Sequence, residues 1–296
     1  MEPLSEQAVQ DYLEYLGVIR PVEPNLDRLN ALIRAHLERV PFENVDTLLG
    51  RDVVLDAEAV LTKVLKGRGG YCYELNCLFG RLLQAVGYRV QLRPARFRLT
   101  TPDDSPAKTR LAHVTLLVQL PDDGDRLVDI GLAFIGMERA LPLKGGDTKP
   151  FLIREVDNSG ALDVCVPTKS GGWKVSCTVE PYDFDWEDLL SLNWFSTTHP
   201  ESHMRLVPLA GRRRADDGCW LQLVKNRFIR WSPKDGTLEK RVLQNEDEIV
   251  ELLQTVFGLR LTKEDTGPLR PRLRELLSSW KLFDTDRGIK SFWPEC

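Results

Sequence analysis

Residues 67–90 read GRGGYCYELNCLFGRLLQAVGYRV, and the chain changes its hydrophobic period across them. The run Gly67-Arg68-Gly69-Gly70 permits a sharp turn, and the spacing predicts a helix over 72–86 that Gly87 closes just past the last apolar residue. Upstream, apolar residues recur every three or four positions: Val9, Leu13 and Leu16; Leu29, Leu32, Ile33 and Leu37; Val60, Leu61, Val64 and Leu65. These predict three more helices, with Pro21, Pro24, Pro41 and Gly50 as breaks. Downstream of Gly87, residues 88–99, 112–120 and 126–130 are short runs rich in Val, Leu, Phe and Thr, separated by TTPDDSPAKTR and PDDGD. They predict an antiparallel sheet or a small barrel. Residues 161–167 and 173–179 add strands around Ser170-Gly171-Gly172, and 183–192 reads as helical. Residues 220–228, 230–231 and 240–243 resemble a twisted hairpin turning at Pro233-Lys234-Asp235-Gly236. Ile249, Leu252, Leu253, Val256 and Phe257, ended by Gly258, predict an amphipathic helix.

A length of 296 residues suggests about two domains and enough chain for real cores. With no repeat or low-complexity linker, the sections are expected to pack closely. Six cysteines are too few for a disulfide scaffold and lack paired C-x2-C zinc spacing, so reduced thiols and no metal are expected. The opening MEPLSEQAVQ is acidic, and no window approaches the ~18 apolar residues of a membrane span. A cytoplasmic protein without a membrane partner follows. Forty basic against 44 acidic residues give a net charge of −4, which provides no reason to expect nucleic acid.

Cys72 falls in the first turn of the predicted helix, where exposed N–H groups and the positive end of the helix dipole favour a thiolate. A small buried hydrophobe in a core helix is the equally weighted alternative. His113 stands in Leu111-Ala112-His113-Val114-Thr115-Leu116, and Asp129 in Leu127-Val128-Asp129-Ile130-Gly131. If these strands pair around PDDGD, Asp129 accepts from one imidazole nitrogen while the other faces Cys72. Spacing alone leaves His113 as a packed strand residue and Asp129 as a turn former.

Several ordered motifs carry a resemblance that covers nearly the whole chain. Val40-Pro41-Phe42-Glu43-Asn44, Arg68-Gly69-Gly70-Tyr71-Cys72-Tyr73-Glu74-Leu75-Asn76, His113, Val128-Asp129-Ile130-Gly131, residues 193–202 (NWFSTTHPES) and Val256-Phe257-Gly258-Leu259 resemble the arylamine N-acetyltransferase family. The resemblance implies an α+β fold: an N-terminal helical bundle (1–87), a central antiparallel β-barrel (88–192) and a C-terminal α/β lid and tail (193–296), with a cysteine-protease-like triad. It implies that Cys72 takes an acetyl or other short acyl group from acetyl-CoA or another CoA thioester, that His113 is its base and proton shuttle, and that Asp129 orients the imidazole. It implies an aromatic amine or hydrazine as acceptor, ping-pong kinetics through a thioester, and a place in xenobiotic metabolism. Arg68 would pair with Glu43 to hold the nucleophile's loop. Gly131, Leu132 and Ala133 would line the site and contact cofactor and acceptor, although Ala133 replaces a frequent second glycine. A plain turn with Leu132 packed inward is the alternative for that loop.

Cys77, five places after Cys72, is expected to point away and pack. His199 and His203 have the spacing of a helical metal site, but Pro200 lies between them, so incidental loop histidines are the preferred reading. Ten Lys or Arg against four Asp or Glu between Arg205 and Arg241 read as a landing site for the CoA phosphates or as a solvated hairpin edge. The tail 281–296 would cover the site or dock on the surface. The same triad also serves a cysteine hydrolase, a transglutaminase-like enzyme or a macrolactam-forming amide synthase. An inactive relative that only binds CoA or a partner is the remaining alternative, against which the intact Cys72, His113 and Asp129 argue.

Overall fold

A computed structural model describes residues 2–20, 23–99, 109–133, 136–144, 148–168 and 171–280. The expected role of the tail 281–296 lies outside the described residues, as does most of the connection after residue 99. The helical section contains α1 (Glu6–Leu16), α2 (Leu26–Arg39), β1 (Phe42–Glu43), α3 (Val45–Leu48), α4 (Ala57–Leu65) and α5 (Cys72–Ala85). Ser5, Asn25 and Asp56 cap α1, α2 and α4 by accepting an N–H from the first turn, and left-handed Gly17 closes α1. Helix α5 is buried along almost its whole length and packs on α1, α4, β2 and β3.

The next strands are β2 (Arg89–Phe97), β3 (Leu111–Leu120), β4 (Gly124–Val128), β5 (Leu141–Pro142), β6 (Leu152–Glu155), β7 (Leu162–Pro167) and β8 (Trp173–Val179). They form one antiparallel sheet in the order β5-β4-β3-β2-β8-β7-β6. Its edges β5 and β6 do not pair with each other among the described residues, so the expected barrel is realised as an open, curled half-barrel. The rest of the chain gives α6 (Trp186–Thr198), α7 (His203–Leu206), β9 (Leu209–Arg213), β10 (Trp220–Val224), β11 (Arg227–Trp231), β12 (Leu238–Val242), α8 (Glu246–Thr255) and α9 (Lys263–Trp280). A second sheet has the order β1-β9-β10-β11-β12, so the N-terminal section lends it an edge strand.

Several elements differ from the sequence-based reading. The run 220–228 is two strands, because Lys225 adopts a left-handed φ of 56° and reverses the chain before Arg227. Helix α6 continues past residue 192 to Thr198. Strand β9 was hidden in a basic run, and α9 was masked by Pro268 and Pro271. Proline at 268 removes the N–H that would bond the carbonyl four residues back, and that carbonyl, Glu264 O, accepts Arg51 Nη2 at 2.9 Å. The apolar face of α9, Leu269, Leu273 and Leu276, packs with Leu252, Leu253 and Phe257 under the second sheet.

The turn into α5 is held closely. Glu43 N–H donates to Gly70 O at 2.9 Å, Phe42 bridges Gly70, and an ideal Cβ at Gly69 would fall 1.8 Å from Pro41 O. Gly69→Ala should therefore lower the unfolding free energy by about 1–3 kcal/mol as the loop is pushed off β1, measured by urea denaturation.

Candidate functional site

Cys72 is the first residue of α5, with Tyr71 as its N-cap. Glu74 reaches back to accept the Tyr71 N–H at 3.1 Å, and the Tyr71 hydroxyl donates to Asn193 Oδ1 on α6. Asn193 in turn donates to Val53 O at 2.7 Å. The segment carrying the thiol is thus fixed from three directions, and Cys72 is only 3% exposed.

Strands β3 and β4 do pair around the turn at 121–123, with Leu116 opposite Val128. Continuing that register puts Asp129 beside Thr115, close to His113 on the same strand. His113 Nε2 meets Asp129 Oδ2 at 2.5 Å, and both side chains are buried. The Cys72 side chain lies close enough to the His113 imidazole to bear on its charge, and its Sγ lies 4.0 Å from Ala112 O. Burial alone would lower the imidazole's pKa; Asp129, followed by Cys72, outweighs it and pushes the ring up to about 10. An imidazolium therefore stands between Asp129 and the Cys72 sulfur at neutral pH. The structure brings Cys72, His113 and Asp129 close together.

Asn76 was quoted in the motif without a role, yet it joins all three segments. Its Nδ2 donates to Val114 O at 2.8 Å and to Asp129 Oδ1 at 2.9 Å, while its Oδ1 accepts the Ile130 N–H at 3.1 Å. The available signal was its spacing of four from Cys72, which places both on one face of α5. Gly131 N–H also donates to Asp129 Oδ1, at 3.0 Å. A Cβ at Gly131 would lie 2.6 Å from Asn76 Nδ2 and 2.8 Å from Cys72 Cα, so the loop 131–133 rests on the nucleophile's backbone. Leu132 and Ala133 are buried there, and Ala133 O would stand 2.3 Å from a Cβ at Gly211 of β9.

Arg68 pairs with Glu43 as expected, Nε to Oε1 at 2.9 Å and Nη2 to Oε1 at 2.8 Å. Cys77 is buried, and burial pushes its thiol up to about 12, which leaves it an inert packing residue. Arg212 donates to Glu38 O and Phe257 O, Arg213 pairs with Glu38 and Glu138, and Arg214 with Asp216. These guanidiniums are engaged within the chain. His199 stacks on Phe195 at 4.4 Å and its Nδ1 accepts the Glu201 N–H. Among the described residues no group of three His, Cys, Asp or Glu is placed to hold a metal, and no helix is long and apolar enough to cross a membrane. A cavity of about 300 Å³ beside Phe151, Trp220 and Trp231 includes none of the residues around Cys72.

The sequence profile of the N-acetyltransferase family matches residues 25–266. The chain is 28% identical over 276 residues to an arylamine N-acetyltransferase of Mycolicibacterium smegmatis, covering 90% of this chain and 98% of that one. It is 30% identical over 274 residues to the arylamine N-acetyltransferase of Mycobacterium tuberculosis H37Rv, covering 90% and 94%. The solved structure of Mycobacterium marinum arylamine N-acetyltransferase in complex with CoA superposes with a TM-score of 0.81 at 29% identity, covering 90% of this chain and 99% of that one.

Asn76→Ala should leave buried partners unpaired and reduce the unfolding free energy by about 1–3 kcal/mol, read from the urea midpoint. The His113 shift also sets a pH dependence. An imidazole near 6.5 in the unfolded chain and about 10 in the folded one adds stability in full below pH 6.5, and that stability is lost as pH rises through 10. The fall in unfolding free energy from about pH 6.5 to pH 10 should therefore be smaller in Asp129→Asn than in the parent, compared by denaturation at both pH values.

Proposed function

The chain belongs to the arylamine N-acetyltransferase family, and on that premise we propose that it moves an acetyl or other short acyl group from a CoA thioester to an arylamine, arylhydrazine or similar amine through a thioester on Cys72. The observation that carries the mechanism is His113, hydrogen-bonded to Asp129 and set close to Cys72 at the N-terminus of α5. The Cys72 sulfur, its proton held by His113 as the imidazolium, attacks the thioester carbonyl carbon as a thiolate, and a tetrahedral oxyanion forms. The Cys72 N–H, at the positive end of the helix, is the natural donor to that oxygen. Collapse breaks the bond to the CoA sulfur, which leaves with the proton of the His113 imidazolium. The amine then attacks the acyl carbon, His113 takes the amine proton, and the Cys72 sulfur departs to restore the starting pair. Asp129 holds the imidazole in orientation and stabilises its charge.

In this reading, residues 1–87 bring the nucleophile, 88–192 the histidine and aspartate, and 193–296 the lid. Gly131, Leu132 and Ala133 line the acyl and acceptor site, a role supported by the seat of Gly131 on Cys72. The five described cysteines are free, in keeping with a reducing, cytoplasmic setting.

Mixing the protein with acetyl-CoA in the absence of acceptor should place one acetyl group on Cys72 and release one CoA, as read by mass spectrometry of the intact chain and its peptides. Cys72→Ala should abolish the adduct and Cys77→Ala should keep it; no adduct with acetyl-, propionyl- or malonyl-CoA would sink the reading. Asp129→Asn should slow acylation by on the order of 10²- to 10⁴-fold through the wrong imidazole tautomer, measured by single-turnover kinetics. An adduct that water discharges faster than any small amine would favour the hydrolase reading.

A further inference from the structure

Glu74 follows Cys72 by two residues in the first turn of α5, and its carboxylate has two partners. Oε2 accepts the Tyr71 N–H at 3.1 Å, and Oε1 accepts Lys63 Nζ from α4 at 2.8 Å. Glu74 is buried, and a Cβ at Gly70 would lie 2.8 Å from Oε2, so the carboxylate presses on the loop that delivers the nucleophile. The Lys63 ammonium also reaches Asp46 Oδ2 at 2.7 Å and Glu43 Oε1 at 4.0 Å. Arg68 covers Glu43, Asp46 and Asp265, and Arg51 covers Asp46 and Asp265. Among the described residues, the cation paired with Glu74 is Lys63.

A carboxylate at this helix position suits the dipole and the cap. A negative charge on Glu74, however, opposes negative charge on the sulfur of Cys72, two residues earlier in the same first turn. Burial pushes the Glu74 carboxyl upward, Lys63 draws it back, and Glu43 adds to the rise. Burial would lower the Lys63 amine, but Glu74, Glu43 and Asp46 together hold it above its ordinary value against the opposing charge of Arg68. Lys63 is thus charged at neutral pH. Facing Cys72 from another element is His113 of β3, which is itself bonded to Asp129 beyond β4, and from its own segment Tyr71, Tyr73 and Cys77.

We propose that Lys63 is a positioning residue for the nucleophile, acting through Glu74: its ammonium neutralises the carboxylate at the start of α5 and so lets the Cys72 sulfur carry negative charge beside the His113 imidazolium. The inference rests on Cys72 being the thiol that accepts the acyl group.

The test is the rate of iodoacetamide alkylation across about pH 6 to 10 on the full chain, with the modified cysteine mapped by peptide mass spectrometry. Lys63→Gln should slow Cys72 alkylation about tenfold near pH 7 and rejoin the parent rate at alkaline pH. Lys63→Arg should keep the parent profile. The double variant Lys63→Gln/Glu74→Gln should recover most of the lost rate, because the amide oxygen still accepts the Tyr71 N–H and leaves no charge to neutralise. A Lys63→Gln profile that overlays the parent overturns the proposal, as does a double variant as slow as the single one. Parent alkylation that maps to another cysteine instead brings down the Cys72 reading, and this inference with it.

Discussion

A guanidinium and a carboxylate that meet largely out of water, Arg68 and Glu43, tie the nucleophile's helix to the second sheet. Arg68 precedes the glycine pair that turns into α5, and Glu43 lies on β1, which pairs with β9 and bridges Gly70. Losing either partner would leave the other, buried, with only longer ionic contacts, Arg68 with Asp46 at 3.3 Å and Asp265 at 3.6 Å or Glu43 with Lys63 at 4.0 Å, a weakening of the kind that costs up to about 3–5 kcal/mol. Around the pair, Asp46 is a carboxyl whose burial would raise it, yet Lys63 and Arg68 hold it down at about 2. The ionic cluster also takes in Asp265 of α9, so elements from opposite parts of the chain share one electrostatic centre.

The polar group beside it is arranged on a different principle. Asn76 and Asp129 are 0% exposed, and their side-chain oxygens and nitrogen meet partners in α5, β3 and the loop after β4. Satisfied polar networks in a low-dielectric interior are rigid, because each bond given up leaves a desolvated group behind. That rigidity leaves one oxygen of Asp129 for His113 and aims the imidazole at a sulfur that belongs to a different layer of the fold.

Much of this was legible in the chain because local rules agreed with the global fold. Helices α1, α2, α4 and α5 announce themselves through apolar spacing and capping residues, and the change of period at Gly87 marks the start of the half-barrel. Cys72 could be singled out by the glycines before it, whereas His113 and Asp129 drew meaning only from strand register and from motif order. What escaped was written in long-range contacts. Nothing local in Arg212-Arg213-Arg214 says that β9 is covered by β1 on one side and β10 on the other. Two prolines argue against α9, and it is Arg51, more than two hundred residues away in the chain, that meets the carbonyl Pro268 leaves over. Asn76 looked like one more polar residue of a motif until its three partners were in place.

The pairing of β1 with β9 bears on how the molecule is made. Asn44, next to that strand, accepts the Leu209 N–H at 2.8 Å and donates to Val207 O at 2.8 Å, across some 165 residues of chain. A ribosome extends the N-terminal end first, so Phe42 and Glu43 emerge long before the strand that completes them. Until residues 209–213 arrive, the loop leading to Cys72 has a bare backbone edge on one flank and an ion pair with nothing to shield it. The seam that β1 shares with the second sheet can therefore close only after residues 209–213 have been made.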